Sequence, residues 1–87
     1  MKYRIILKPE ARKELRKLKN LDYELIITTL HAIAEDPHSG DAKPLAGLTL
    51  WRRRVRDFRI VFSIQNEQAV VYIARIIRRS EKSYRGL

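Results

Sequence analysis

The stretch from residue 50 to residue 62 constrains the fold more than any other part of the chain. Its sequence is LWRRRVRDFRIVF, in which aromatic and β-branched residues alternate with arginines. Because successive side chains of a strand point to opposite faces, this pattern predicts two adjacent strands joined at Arg56-Asp57. The chain is therefore expected to contain an antiparallel hairpin at its centre.

The same alternation predicts a sheet with one strongly basic face. Arg52 and Arg54 fall on one face of the first strand, and Arg59 falls on the same face of the second. Arg53 shares the apolar face and is expected to reach the sheet edge. That apolar face carries Trp51, Val55, Phe58, Ile60 and Phe62. Since like charges on neighbouring strands repel each other, the concentration of guanidinium groups indicates an anionic partner.

The segments before the hairpin predict one strand and two helices. Residues 2–7 form a short β-rich run. Apolar positions at i, i+4 and i+7 predict a helix over residues 10–19, whose Glu14 is expected to be a solvated charge. A broader apolar face predicts a second helix that ends near Glu35, with Asp22 as its N-cap. Residues 36–47 carry the Pro and Gly that are typical of a connecting loop.

The segment after the hairpin predicts one more strand. Residues 69–77 are apolar apart from Arg75, and the polar residues 65–68 suit a hairpin connection. If the odd-numbered residues share the face of Arg59, then Val70, Tyr72, Ala74 and Ile76 pack beneath the helices. The predicted fold is α+β: a single domain, residues 1–87, with an N-terminal strand and two helices packed on one face of a four-stranded antiparallel sheet.

Charge is distributed unevenly along the chain. The net charge is +9 over 87 residues. Residues 1–49 hold 9 basic and 7 acidic side chains, whereas residues 50–87 hold 10 basic and 3 acidic ones. A basic surface in the C-terminal half favours nucleic acid, the ribosome or an acidic protein as a partner.

Several classes of protein are excluded by what the sequence lacks. It has no cysteine and no long apolar run, so neither a disulfide framework, a thiolate metal site nor a transmembrane span is expected. No signal peptide is recognised at the N-terminus, which favours a cytoplasmic protein without a membrane partner. His31 and His38 are far apart in sequence and lack a set of carboxylates, so no metal or cofactor site is predicted.

Two motifs, together with the order of the predicted elements, carry a resemblance to a known family. KPLAG at residues 43–47 and WRRRVRDFR at residues 51–59 resemble the RelE/ParE toxin superfamily over essentially the whole chain. The resemblance implies a type II toxin–antitoxin toxin bound by a cognate RelB-like antitoxin, with operator DNA contacted only through that antitoxin. In the RelE branch it implies a metal-independent, ribosome-dependent mRNA endonuclease, or mRNA interferase, that inhibits translation without a cofactor.

The resemblance also assigns roles to individual residues. Arg59 and Arg79 are expected to hold the scissile phosphate, Arg54 or Arg52 to protonate or polarise the leaving side, and Tyr84 to stack on a base or move a proton. The catalytic candidates are Arg54, Arg59, Arg79 and Tyr84. The RNA-binding candidates are Lys43, Arg52, Arg56, Arg75, Arg78 and Lys82.

Three alternatives remain open at this point. A ParE-type inhibitor of DNA gyrase resembles the same fold but is not a nuclease. An inactive relative would keep only antitoxin binding and operator regulation. Both features also have a purely structural explanation. The arginine cluster would then be a solvated basic face, and Tyr84 would be a tail aromatic residue packed on the domain.

Overall fold

The structure is a computed structural model that describes residues 2–45, 47 and 49–78. The strands within these ranges are β1 (Arg4–Leu7), β2 (Lys43–Pro44), β3 (Trp51–Val55), β4 (Phe58–Gln65) and β5 (Val70–Arg78). The helices are α1 (Pro9–Arg16) and α2 (Asn20–Glu35). In this part of the chain, no helix has the length and apolar character needed to cross a membrane. The predicted tail residues Arg79, Lys82 and Tyr84 lie outside the described residues.

The strands form one five-stranded mixed sheet in the order β1-β5-β4-β3-β2. The β3–β4 and β4–β5 pairs are antiparallel, as predicted, and the additional strand β2 is antiparallel to β3, but β1 runs parallel to β5. The expected four-stranded antiparallel sheet was therefore wrong in strand number and in the direction of β1. Both helices lie between β1 and its partner β5 in the sequence. The residue pattern of β1 therefore does not fix the direction in which β1 runs in the sheet. Strand β2 contains only Lys43 and Pro44, too few residues to show alternation.

Both helices cover one face of the sheet, and this prediction is confirmed. Helix α1 has Pro9 in its first turn and buries Ala11 and Leu15, one turn apart. Helix α2 buries residues at helical spacing, namely Ile26, Thr29, Leu30, Ile33 and Ala34. These side chains meet an apolar sheet face that includes Phe58, Ile60, Phe62, Val71, Ile73 and Ile76. The two helices therefore leave only one face of the sheet for other contacts.

The helix boundaries differ from the predicted ones by a few residues. Helix α1 ends at Arg16, before the predicted end at residue 19. Helix α2 begins at Asn20 with Lys19 at the N-cap position, so Asp22 lies in the first turn and is not the cap. A carboxylate in this turn still interacts favourably with the helix dipole.

A register shift between β4 and β5 changes which side chains of β5 face the helices. Val61 pairs with Arg75, whereas the next residue, Phe62, pairs with Ile73, so Ala74 is the extra residue of a β-bulge. Paired residues point to the same face, and the alternation of β5 therefore reverses at the bulge. The predicted placement of Arg75 and Ile76 is confirmed. The prediction that Val70 and Tyr72 pack beneath the helices was wrong, since Val71 and Ile73 occupy that face.

Candidate functional site

The open face, defined as the sheet face that the helices leave uncovered, carries most of the predicted basic residues. Arg54 of β3 pairs with Arg59 of β4, which pairs with Ile77 of β5. In the next row along the strands, Lys43 pairs with Arg52, Arg52 with Val61, and Val61 with Arg75. The structure thus brings five predicted site residues to one face from four strands. They are Lys43, Arg52, Arg54, Arg59 and Arg75.

Arg54 and Arg59 are the centre of this arrangement. They are direct cross-strand neighbours, and neither has a carboxylate partner among the described residues. Arg54 is exposed, whereas Arg59 is half-buried, and its buried Nε has no hydrogen-bond acceptor within residues 2–45, 47 and 49–78. Like charges placed directly opposite each other destabilise a sheet by roughly 0.2–1 kcal/mol, and a buried unpaired donor adds to that cost. An anion held between the two guanidinium groups would relieve both.

Arg52 is held against the loop that follows α2. Its Nη1 donates to the backbone oxygen of Asp41 at 3.2 Å and to the Asp41 carboxylate at 3.1 Å. Only 12% of the Arg52 side chain is exposed. Lys43, its neighbour on β2, is exposed. Arg52 therefore fixes the loop beside the open face, while Lys43 is the more accessible cation.

Arg75 is bound by Glu14 of α1 at the edge of β5. Its Nε and Nη2 donate to one Glu14 carboxylate oxygen at 2.9 and 2.6 Å, and the backbone N–H of Ile76 donates to the other at 2.7 Å. The hydrogen bonds that Arg75 donates to the Glu14 carboxylate raise the pKa of Arg75 above its ordinary value. Glu14 was predicted to be a solvated charge, and this was wrong because β1 ends before Ile76 and leaves that N–H without a strand partner.

Removing the Glu14 carboxylate is expected to destabilise the fold. Glu14→Ala leaves the Ile76 N–H and the Arg75 guanidinium without their acceptors, and we expect the free energy of unfolding to fall by about 2–3 kcal/mol. Glu14→Gln keeps one acceptor for Ile76 and is expected to lose about half as much. Urea denaturation measures both. Glu10→Gln, an exposed position on the same helix, is the matched control and should lie within about 0.5 kcal/mol of the original chain.

Arg78 and Arg56 do not join the open face. Arg78 pairs with Phe58, lies over the Phe58 ring at 4.5 Å, and donates to Asp22 at 2.7 Å and to Asp57 at 2.8 Å. The Asp22 hydrogen bond is the main cause of a raised pKa at Arg78. Arg56 occupies the β3–β4 turn beside Asp22 and α2. Both arginines therefore lie on the helix-covered side or at its rim, away from Arg54 and Arg59.

The backbone of Arg56 has a positive φ of 54°, a conformation that glycine adopts at lower cost than other residues. We expect Arg56→Gly to be more stable than Arg56→Ala by about 1 kcal/mol, because both substitutions remove the charge and only alanine keeps the strain. Urea denaturation of the two variants measures the difference. Equal stability of the pair would contradict a strained turn.

Arg53 and the two histidines have structural contacts. Arg53 shares the apolar face, as predicted, and its Nη1 donates to Ser39 Oγ at 3.3 Å in the loop after α2. His38 meets Trp51 edge to face with ring centroids 4.8 Å apart. His31 lines a cavity of about 550 Å³ between α2 and β1. Across the described ranges, no three His, Cys, Asp or Glu side chains are grouped so that they could hold a metal ion.

The fold is similar to those of solved bacterial and archaeal toxins. The archaeal RelE in the RelE–RelB complex from Pyrococcus horikoshii matches with a TM-score of 0.81 and 23% identity, covering 93% of this chain and 99% of that one. The isolated E. coli RelE toxin matches with a TM-score of 0.77 and 26% identity, covering 97% and 94%. The YoeB/ParE toxin from Agrobacterium tumefaciens has a TM-score of 0.75 and 15% identity, covering 88% and 99%. The class of protein is thus a toxin with the RelE fold.

The family follows from the sequence. The model of the ParE toxin of type II toxin–antitoxin systems, parDE, matches residues 5–83. The chain therefore belongs to the ParE toxin family, within the RelE/ParE superfamily of type II toxins. No sequence among the curated proteins matches it. The resemblance identified from the residue motifs is confirmed.

Proposed function

We propose that this toxin is a metal-independent endoribonuclease that cuts mRNA on the ribosome and thereby inhibits translation. The observation that supports this most is the pair of Arg54 and Arg59, in register on the open face and without carboxylate partners in the described part of the chain. Two forked cationic donors at this spacing suit a phosphodiester, whose charge increases when the bond is cleaved.

The chemistry of RNA cleavage explains why arginine is used here. The 2′-oxygen attacks the adjacent phosphorus and gives its proton to water, the P–O5′ bond breaks, and the departing O5′ takes a proton from water, so the products are a 2′,3′-cyclic phosphate and a 5′-hydroxyl. The phosphorane between these states carries two negative charges, and preorganised donors that stabilise it lower the barrier. Arg54 and Arg59 are proposed for this role. A guanidinium keeps its proton in a protein, so neither arginine is the base that accepts the 2′-proton.

The remaining candidates take supporting roles in this proposal. Arg79 adds a second hold on the phosphate, and Tyr84 stacks on a base near the cut. Lys43 contacts the RNA backbone, since it is exposed beside the arginines. Arg52 and Arg75 position the site through Asp41 and Glu14. Arg56 and Arg78 contact RNA only at the rim of the complex, because they lie on the helix-covered side or at its edge. Lys82 is proposed to bind RNA on the strength of the family resemblance.

An antitoxin is the partner expected of any type II toxin. In the intact E. coli RelBE complex, a toxin is bound to its antitoxin. The matched toxin of that complex is 26% identical to this chain, with a TM-score of 0.75. We propose that a RelB-like acidic segment neutralises the net charge of +9 and blocks the open face. We also propose that the toxin contacts operator DNA only through the antitoxin, and that the toxin is cytoplasmic.

A second candidate function is inhibition of DNA gyrase. It is favoured by the family model, which is that of ParE toxins and covers residues 5–83. This activity needs a protein-binding surface and no cleavage of RNA. The unpaired arginines at the centre of the open face favour the nuclease, because a protein interface gains little from two repelling cations unless its partner supplies the counter-charge.

The two functions can be separated in one experiment. Purified toxin is added to ribosomes programmed with a defined mRNA and, in parallel, to DNA gyrase with relaxed plasmid. We expect cut mRNA with a 5′-hydroxyl end and unchanged supercoiling. The double variant Arg54→Ala/Arg59→Ala, verified as folded by urea denaturation, should cut nothing. Loss of supercoiling with intact mRNA would assign the toxin to gyrase.

A further inference from the structure

The open face has a second half that is apolar and aromatic. Val61 and Val70 are only 8% and 4% exposed, yet neither belongs to the core cluster beneath the helices. Register places Tyr72 of β5 between Ser63 of β4 and Ile6 of β1, also on the open face. The arginines therefore share their face with an aromatic ring that lies between a serine of β4 and an isoleucine of β1.

The bulge at Ala74 is the reason that Tyr72 lies on this face. Its neighbours Val71 and Ile73 are fully buried in the core, so alternation directs Tyr72 to the opposite side of the sheet. The ring is half-buried, and its hydroxyl has no hydrogen-bond partner in the described part of the chain. A half-buried tyrosine whose hydroxyl is unpaired within the described ranges differs from a core residue.

The distance from the arginines to Tyr72 suits a short single strand of nucleic acid. Ser63, which pairs with Tyr72, follows Arg59 by four residues on β4. At about 3.3 Å per residue, the two rows are roughly 13 Å apart. This separation corresponds to a few nucleotides of extended RNA. The row between them is centred on buried Val61, with Arg52 and Arg75 on either side.

We propose that Tyr72 is a base-stacking residue, which holds an unpaired base of the RNA whose phosphate lies between Arg54 and Arg59. Single-stranded RNA is recognised on sheet surfaces by aromatic rings that stack on splayed bases, and a ring beside a cationic row provides both contacts. The inference rests on the proposed function and adds a residue that orients the substrate.

The experiment measures binding without cleavage. The probe is ribosome-bound mRNA with a 2′-deoxynucleotide at the cleavage position, so that the nucleophile is absent. We expect Tyr72→Leu to weaken binding roughly 5- to 150-fold, the range measured for loss of one stacked base, and Tyr72→Phe to bind like the original chain. Tyr23→Leu, an exposed tyrosine on α2, is the matched control and should leave binding unchanged.

An abasic scan of the same mRNA gives a readout that a merely structural role would not affect. Removal of one base near the cleavage position should weaken binding by the original chain as much as Tyr72→Leu does. The same abasic mRNA should cause no further loss with Tyr72→Leu, because the two changes delete one contact.

Other outcomes separate this inference from the proposed function. If Tyr72→Leu binds normally while Arg54→Ala/Arg59→Ala does not, Tyr72 does not stack and the nuclease proposal stands. If neither variant changes RNA binding, both proposals fall. Weakened binding to an acidic antitoxin, with RNA binding intact, would assign the ring to a protein partner and overturn the inference.

Discussion

Replacement of Arg59 by leucine is expected to slow RNA cleavage severely and, at the same time, to stabilise the protein. The loss of a donor aimed at the developing phosphorane should lower the cleavage rate roughly 100- to 1000-fold. The free energy of unfolding should rise by about 1–2 kcal/mol, because leucine removes the repulsion from Arg54 and the buried, unpaired Nε. A substitution that lowers the cleavage rate and raises the free energy of unfolding indicates a residue that is retained for function at a cost in stability.

Two measurements test this prediction together. Urea denaturation gives the free energy of unfolding, and single-turnover cleavage on programmed ribosomes gives the rate. Arg16→Leu, an exposed position on α1, is the matched control and should change neither quantity appreciably. Cleavage that persists in Arg59→Leu would remove Arg59 from the site. A destabilised variant would show that Arg59 has partners that support the fold.

The central hairpin and its basic face were predictable because local pattern and tertiary position agree there. Alternation from Trp51 to Phe62 depends on two strands that are adjacent in sequence and joined by a short turn. Nothing else in the chain has to be known to place Arg54 opposite Arg59. Both helices were likewise predicted from the helical spacing of their apolar residues, which depends only on residues close together in the sequence.

The parts that were predicted wrongly depend on contacts distant in sequence. The direction of β1 is decided by its pairing with β5, more than 60 residues away. The bulge at Ala74 has no local signal, yet it decides whether Tyr72 faces the helices or the open face. Glu14 likewise looks like an ordinary helix charge until the end of β1 exposes the edge of β5. The sequence pattern could not supply these contacts.

Phe62 lies beside the register shift of β4 and β5, and truncation of its side chain is expected to have the largest effect on stability. Phe62 is fully buried and pairs with Trp51 on β3 and with Ile73 on β5, directly beside the bulge. These contacts connect three strands under the helices. A cavity here removes packing from the core on the helix-covered side of the sheet.

Phe62→Ala is expected to lower the free energy of unfolding by about 3–5 kcal/mol, from lost burial and from the cavity that remains. For a domain whose total stability is about 5–15 kcal/mol, this removes a fifth or more of it, and urea denaturation measures the loss. Leu21→Ala, an equally apolar position that is 82% exposed on α2, should stay within about 0.5 kcal/mol. Because Phe62 faces away from RNA, conditions that keep the variant folded should restore cleavage. Cleavage that stays absent in a folded Phe62→Ala protein would show that the register of β4 and β5, and not stability, sets the geometry of the arginines.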